Sequence, residues 1–315
     1  MSIALLTHGD LDGSASAILV MISLKSVDVT IRIANGKTLS NELRNLVAMA
    51  SPPEQVYITD IPLLTDHAAE VLLALKALAR KRIRVHLYDH HHGWDAVAGV
   101  KAACATYCVD TSKTTAAAIV WRERCRGDKA SQEWLRLLSE KSDSKDPDIV
   151  DRFGLLAAIM QPKNYKHTEG VLKALARGGD MLPEHRELSR WYYAEHVERE
   201  KKLAAGAQVL VAKSGLRVGW IDLRQEEGHL LVSRLVVELL HVDVVGTVIR
   251  NAVLLGGSSI DQGLDLTFLH GAHTVGGVQL SVAGHKSPVR ISAVGEGVDD
   301  DAFVAAVKGL VLARM

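Results

Sequence analysis

Tyr88-Asp89-His90-His91-His92-Gly93-Trp94-Asp95 follows an apolar run, residues 83–88, that reads as a buried strand ending in Asp89 and three imidazoles. Open α/β sheets build their sites at the C-terminal ends of strands, so this arrangement decides how the first half is read. A histidine-rich surface turn would account for the octapeptide taken alone. Two other strand ends argue against that. Residues 3–7 run into His8-Gly9-Asp10-Leu11-Asp12-Gly13, and residues 55–59 run into Asp60-Ile61-Pro62. Each is a short apolar or β-branched run closed by an acid and followed by a helical pattern.

Outward from these ends, strands and helices alternate. Residues 14–24, 39–50 and 66–81 read as helices, and 27–34 and 106–109 as further strands, with Ser51-Pro52-Pro53 stopping the second helix. The pattern predicts an α/β fold, a doubly wound and mostly parallel sheet with helices on both faces. Helical periodicity at 114–124, 131–140, 147–160 and 169–177 predicts a helical extension of that domain. A charged stretch at 184–205 reads as a linker helix leading to a smaller α/β domain. That domain has strands at 208–212, 217–222, 242–250 and 289–293, and helices at 229–240 and 299–312. The expected division is 1–180, a linker helix at 181–205, and 206–315. His270 and His273 read as a turn with exposed histidines.

Composition narrows the partners. The chain has 315 residues, 48% of them hydrophobic, enough for two domains with their own cores. The 37 basic and 37 acidic side chains cancel, which argues against tight binding to long duplexes but leaves room for a local groove that takes a short oligomer. Cys104, Cys108 and Cys125 form no CxxC pair and read as reduced thiols of a cytoplasmic protein rather than zinc ligands. The first strand begins within three residues, so no signal peptide is expected. The apolar run 230–245 is broken by Ser233, Arg234 and Glu238, so no membrane span is expected.

Taken singly, HxDxDG is a strand-to-helix turn rich in Asp and Gly. Together, His8, Asp10, Asp12, Asp60, Asp89, His90 and His91 form a mixed carboxylate–imidazole set. Such a set suits a pair of divalent ions, Mn²⁺ first, with Mg²⁺, Co²⁺ or Zn²⁺ as alternatives. Without cations, that many carboxylates in one cleft repel, and several must protonate.

In order and spacing, His8-Gly9-Asp10-Leu11-Asp12-Gly13, the strand-end Asp60 and Asp89-His90-His91 resemble the first three motifs of the DHH phosphoesterase superfamily, over roughly the first 150 residues. The resemblance implies that His8 and Asp10 hold one metal, Asp12 and His90 the other, and that Asp60 bridges them with a water that becomes the nucleophile. It makes Asp89 the residue orienting a histidine and sets His91 against the substrate phosphate, with no role for His92. A fourth motif implies one more Asp ligand, Asp143, with Asp146 as runner-up; capping of the helix that begins at Pro147 fits Asp146 better than Asp143. Ser112 and Thr114 precede a helix and could hold a phosphate or simply cap it. Val275-Gly276-Gly277 and Ala283-Gly284-His285-Lys286-Ser287-Pro288 resemble, more loosely, the glycine-rich motif of the DHH-associated domain. On that resemblance Gly284, His285, Lys286 and Arg250 contact substrate, although Ala283 and Pro288 depart from the pattern.

The expected activity is a metal-dependent phosphodiesterase, cutting short RNA or DNA oligonucleotides or dinucleotides. The alternatives are a phosphatase on 3′-phosphoadenosine 5′-phosphate, a RecJ-like exonuclease, and a nucleotide-sensing module without turnover. With five Trp, six Tyr and three Phe, the chain is poor in stacking platforms for tracking a long strand. A homodimer is left open.

Overall fold

The computed structural model describes residues 2–25, 28–113, 115–140, 144–160, 162–178, 182–226, 236–237, 239–249, 252–257, 266–284, 289–294 and 298–315. The chain divides into two compact units, Met1–Tyr193 and Ala194–Met315.

The first unit alternates as its sequence predicts. It runs β1 (Ile3–Thr7), α1 (Leu11–Leu24), β2 (Val29–Ile33), α2 (Leu39–Ala48), β3 (Gln55–Thr59), α3 (Ala68–Arg80), β4 (Arg84–Asp89), α4 (Val100–Ala103), β5 (Thr106–Val109) and α5 (Ala116–Val120). The five strands form one sheet in the order β2-β1-β3-β4-β5, and every pairing is parallel. From β1 the chain first winds out to β2 and then returns to β3 on the other side. The order therefore reverses between β1 and β3, where doubly wound sheets open a crevice at their carboxyl ends.

Side-chain alternation divides the core between the two faces. Ala4, Leu6, Val56, Ile58, Val85 and Leu87 point to one face and join Leu39, Leu43 and Leu46 of α2 and Val71, Leu75 and Leu78 of α3 in one buried cluster. On the other face lies α1, whose residues from Gly13 to Met21 are all buried. It is covered in turn by α5, α6 (Lys129–Glu140) and α8 (Thr168–Ala176), with α7 (Pro147–Ile159) packed against α9 (Pro183–Tyr192). A helix enclosed on all sides shows little amphipathic period, which is why α1 reads as uniformly apolar. After α5 the helix widens to a π-turn at Trp121–Cys125.

Residues 183–205 are α9, a π-turn at Tyr193–Val197 and α10 (Glu198–Ala205), and the division between the units falls inside this stretch. The second unit is built on a mixed seven-stranded sheet, β10-β11-β12-β9-β8-β7-β6. Its strands are β6 (Gln208–Val211), β7 (Arg217–Asp222), β8 (Val244–Ile249), β9 (Ala252–Gly257), β10 (Gly271–Val275), β11 (Val278–Gly284) and β12 (Val289–Ala293). The β7–β8 pair is parallel and the others are antiparallel. Helix α11 (Asp300–Arg314) covers it through Phe303, Val307, Leu310 and Val311. Most of the expected helix at 229–240 lies outside the described residues; 236–237 and 239–240 are helical.

Three strands here are absent from the sequence reading: β9, β10 and β11. Val275-Gly276-Gly277, read there as part of a substrate motif, forms the tight turn between β10 and β11, with φ of 57° at Gly276 and 82° at Gly277. Two consecutive positive φ values are what a two-residue hairpin requires, so those glycines have a conformational reason to be there. His273 lies within β10 rather than in a turn, and its Nε2–H donates to Leu269 O at 2.7 Å.

Candidate metal centre

Three neighbouring strand ends supply the site. At the end of β1, Asp10 caps α1: its Oδ1 accepts from Gly13 N at 2.9 Å, while Oδ2 accepts from His8 Nδ1 at 2.7 Å. Gly13 is needed for space rather than for an unusual turn. A Cβ there would lie 2.3 Å from His8 O. The glycine of HxDxDG thus lets α1 start against the backbone of the histidine two residues before Asp10. Thr7 Oγ1 donates to Gly13 O at 2.7 Å and accepts from Thr59 Oγ1 at 2.9 Å, which ties the ends of β1 and β3 together.

Asp60 follows β3 with φ of 58°, a left-handed backbone for a residue that is 2% exposed. Asp tolerates this region better than most residues, yet the conformation still costs about 1 kcal/mol or more. Its N–H donates to Tyr88 O at 3.2 Å. Side-chain Oδ1 lies 3.2 Å from His90 Nε2, and Oδ2 is buried with no hydrogen-bond partner.

At the end of β4, Asp89 is fully buried. Its Oδ2 accepts from Ile61 N at 2.7 Å, and Oδ1 accepts from both the backbone N and Nδ1 of His91, each at 2.7 Å. His90 Nδ1–H points to Lys113 O at 3.3 Å, and its Nε2 lies 3.6 Å from Asp12 Oδ2. His8, His90 and His91 therefore all direct Nδ1 at an oxygen, and Nε2 is the nitrogen each can offer to a cation. Metal-binding imidazoles are fixed by such supporting contacts.

The ligand atoms gather into two overlapping groups, His8–Asp10–Asp60 and Asp60–His90–His91, each with its atoms within 4.8 Å of one another. Asp60 is common to both. The second group brings His91 into ligand range. Asp12 also holds the start of a helix. Its Oδ2 accepts from Ala116 N at 2.7 Å and its Oδ1 from Ala117 N at 2.9 Å, the first amides of α5.

Electrostatics matches a cation site. Burial, followed by the charges of Asp12, Asp10 and Asp89, drives the Asp60 carboxyl well above its ordinary value. Burial and the charge of Asp10 push Asp12 up to about 7. Asp10 goes the other way: burial raises it, but the hydrogen bond and charge of His8 outweigh that and hold it low. Burial lowers His90, assisted by His91. A buried carboxylate oxygen without a donor, beside protonation-prone acids and imidazole nitrogens, is the donor set that hard to borderline divalent cations take.

The remaining sequence candidates divide. Asp146 caps α7, accepting from Asp148 N at 3.1 Å, and pairs with Arg136 at 3.1 Å. Ser112 Oγ donates to Asp110 Oδ1 at 2.5 Å. Gly284 closes β11. Asp143, Thr114, Arg250, His285 and Lys286 lie outside the described residues. Two supporting features escaped the sequence reading: the capping of α5 by Asp12, and Trp94, whose indole Nε1–H donates to Ile61 O at 2.9 Å. The first joins residues more than a hundred positions apart and leaves no local signal. The second had one, an apolar residue inside an otherwise polar loop.

No protein-family model matches the chain, and no curated protein matches its sequence. Solved structures do. A DHH-domain protein described as a member of a ribosomal-protein family matches with a TM-score of 0.69 and 14% identity, over 100% of this chain and 87% of that one. The pGpG-specific phosphodiesterase PggH of Vibrio cholerae matches with a TM-score of 0.51 and 14% identity, over 98% of both chains. RecJ of Thermus thermophilus, in complex with Mn²⁺, matches with a TM-score of 0.55 and 15% identity, over 98% of this chain and 52% of RecJ. At such identities the likeness establishes the fold, which is that of DHH-domain proteins. Among the described residues, no helix is long and apolar enough to cross a membrane.

Proposed function

We propose that this chain, which has the fold of the DHH-domain proteins, is a divalent-metal-dependent phosphodiesterase acting on short oligonucleotides or dinucleotides. The observation that carries this reading is the pair of ligand groups sharing the buried Asp60. His8 and Asp10 would hold one cation and Asp12 and His90 the other, with Asp60 between them and Asp143 added to the second. Two bound cations would neutralise phosphodiester charge and make a water more acidic, and Mn²⁺ is the first candidate. Asp89 fixes the His91 ring through Nδ1, so that Nε2 can meet a phosphate oxygen.

Charge bears on substrate length: the net charge of the sequence is zero. A long single strand calls for an extended basic groove, whereas a dinucleotide needs only a few donors. In the second unit, Arg250, Gly284, His285 and Lys286 are assigned to the substrate. The unpaired Cys104, Cys108 and Cys125 suit a reducing, cytoplasmic setting.

Purified protein with Mn²⁺ should cleave a labelled RNA of two to five nucleotides. Asp60→Ala should reduce that rate by more than about a hundredfold, the most that losing a mere supporting contact costs. Undiminished cleavage by the variant would end the two-cation reading. Turnover of adenosine bisphosphate alone would replace the oligonucleotide by a small nucleotide.

A further inference from the structure

Both polar groups of Ile61, the residue after Asp60, are held. Its N–H donates to Asp89 Oδ2 at 2.7 Å, and its carbonyl accepts from Trp94 Nε1 at 2.9 Å. Trp94 is fully buried, in the same core cluster as Ile61 and Leu63. It sits in a short helical turn, His92–Trp94, that lies directly against the segment after Asp60: a Cβ on Gly93 would fall 2.1 Å from Leu63 O. Asp60 itself has φ of 58°; its Oδ1 lies 3.2 Å from His90 Nε2, and its buried Oδ2 has no donor among the described residues.

We propose that Trp94 is a positioning residue for the Asp60 carboxylate, acting through the hydrogen bond from its indole N–H to Ile61 O. This rests on the two-cation reading, because Asp60 is the residue that both ligand groups share. The turn carrying Trp94 begins directly after His91, so one segment delivers a site imidazole and also clamps the backbone that aims the shared acid. The indole N–H and Asp89 Oδ2 grip opposite ends of Ile61. With one grip lost, Asp60 can relax toward ordinary backbone angles and its carboxylate swings away from His90.

The test is Mn²⁺ affinity, measured calorimetrically on the full chain well below its melting temperature. One variant is Trp94→Phe. The other replaces Trp94 by benzothienylalanine, which keeps the ring shape and packing and removes only the N–H. Both should bind Mn²⁺ about tenfold more weakly, the loss expected when a contact supporting a ligand is removed. Trp134→Phe, on α6, should bind as the unaltered protein does. Unchanged affinity in the benzothienylalanine protein, with affinity lost in Asp60→Ala, would overturn the role of Trp94 and leave the cation reading standing. Unchanged affinity in Asp60→Ala would overturn both.

Discussion

Burial raises the carboxyls of Asp12 and Asp60 above their ordinary values, and that shift makes a prediction about stability. In the unfolded chain Asp12 titrates near its ordinary 3.8, whereas in the fold it is pushed up to about 7, and Asp60 is raised as well. Between those values these two groups hold more protons in the fold than in the unfolded chain, so their contribution to stability falls as pH rises. His8 is also raised, from 6.5, and adds a fall above that pH. His86, which burial pushes down to about 4, and His90, also lowered, act in the opposite sense, two imidazoles against two carboxyls. The share of the carboxyls shows as a difference: from about pH 4.5 to about pH 7 the stability of chelator-treated protein should fall relative to that of Asp60→Asn, whose side chain has no proton to lose there. Mn²⁺ should remove this relative fall, because cation binding expels those protons. A difference of the opposite sign without metal would contradict the assignment.

At the level of elements, α5 starts where a carboxylate from α1 meets it. Asp12 accepts from the amides of Ala116 and Ala117, and Thr115 accepts from Ala118 N at 3.2 Å, so three of the first exposed donors of α5 are satisfied. Only the threonine is local. α5 also packs on α1, so the acid assigned to the second cation also bears on how the two helices meet. Losing a capping acceptor costs typically about 1 kcal/mol. In metal-free Asp12→Ala, the amides of Ala116 and Ala117 should exchange with solvent about fivefold faster. Asp12→Asn, which keeps one acceptor, should show a smaller effect. Equal exchange in all three proteins would show that packing alone holds α5.

For the whole molecule, every described candidate ligand belongs to the first unit, whose sheet has its own cores on both faces. A fragment of residues 1–193 should therefore fold and bind Mn²⁺ within about threefold of the full chain, since affinity depends on ligands and their supports rather than on distant surface. The same fragment should lose cleavage of short RNA, because the assigned substrate residues Arg250, Gly284, His285 and Lys286 are absent from it. Calorimetry and a nuclease assay on one preparation separate the two effects. Full cleavage by the fragment would remove the second unit from the substrate reading.

The sequence by itself determined the parallel sheet. Runs such as Ile3–Thr7 and Gln55–Thr59 are local signals, and the alternation of strand and helix predicts a parallel sheet; the strand order that sets the ends carrying His8, Asp60 and His90 side by side comes from the fold. Through resemblance it also proposed roles for Asp89 and Asp60. It did not foresee β9, β10 and β11 of the second sheet; Gly271–Val275, for one, is largely exposed and carries no apolar alternation to mark it. Nor could it show which hydrogen bonds aim the acids. The grip of Trp94 on Ile61, the bond from Asp12 to Ala116 and the closeness of Gly13 to His8 O depend on distances between chain segments. Only the packed tertiary structure sets those distances, since residue types and spacing specify which groups can bond and the fold decides which of them meet.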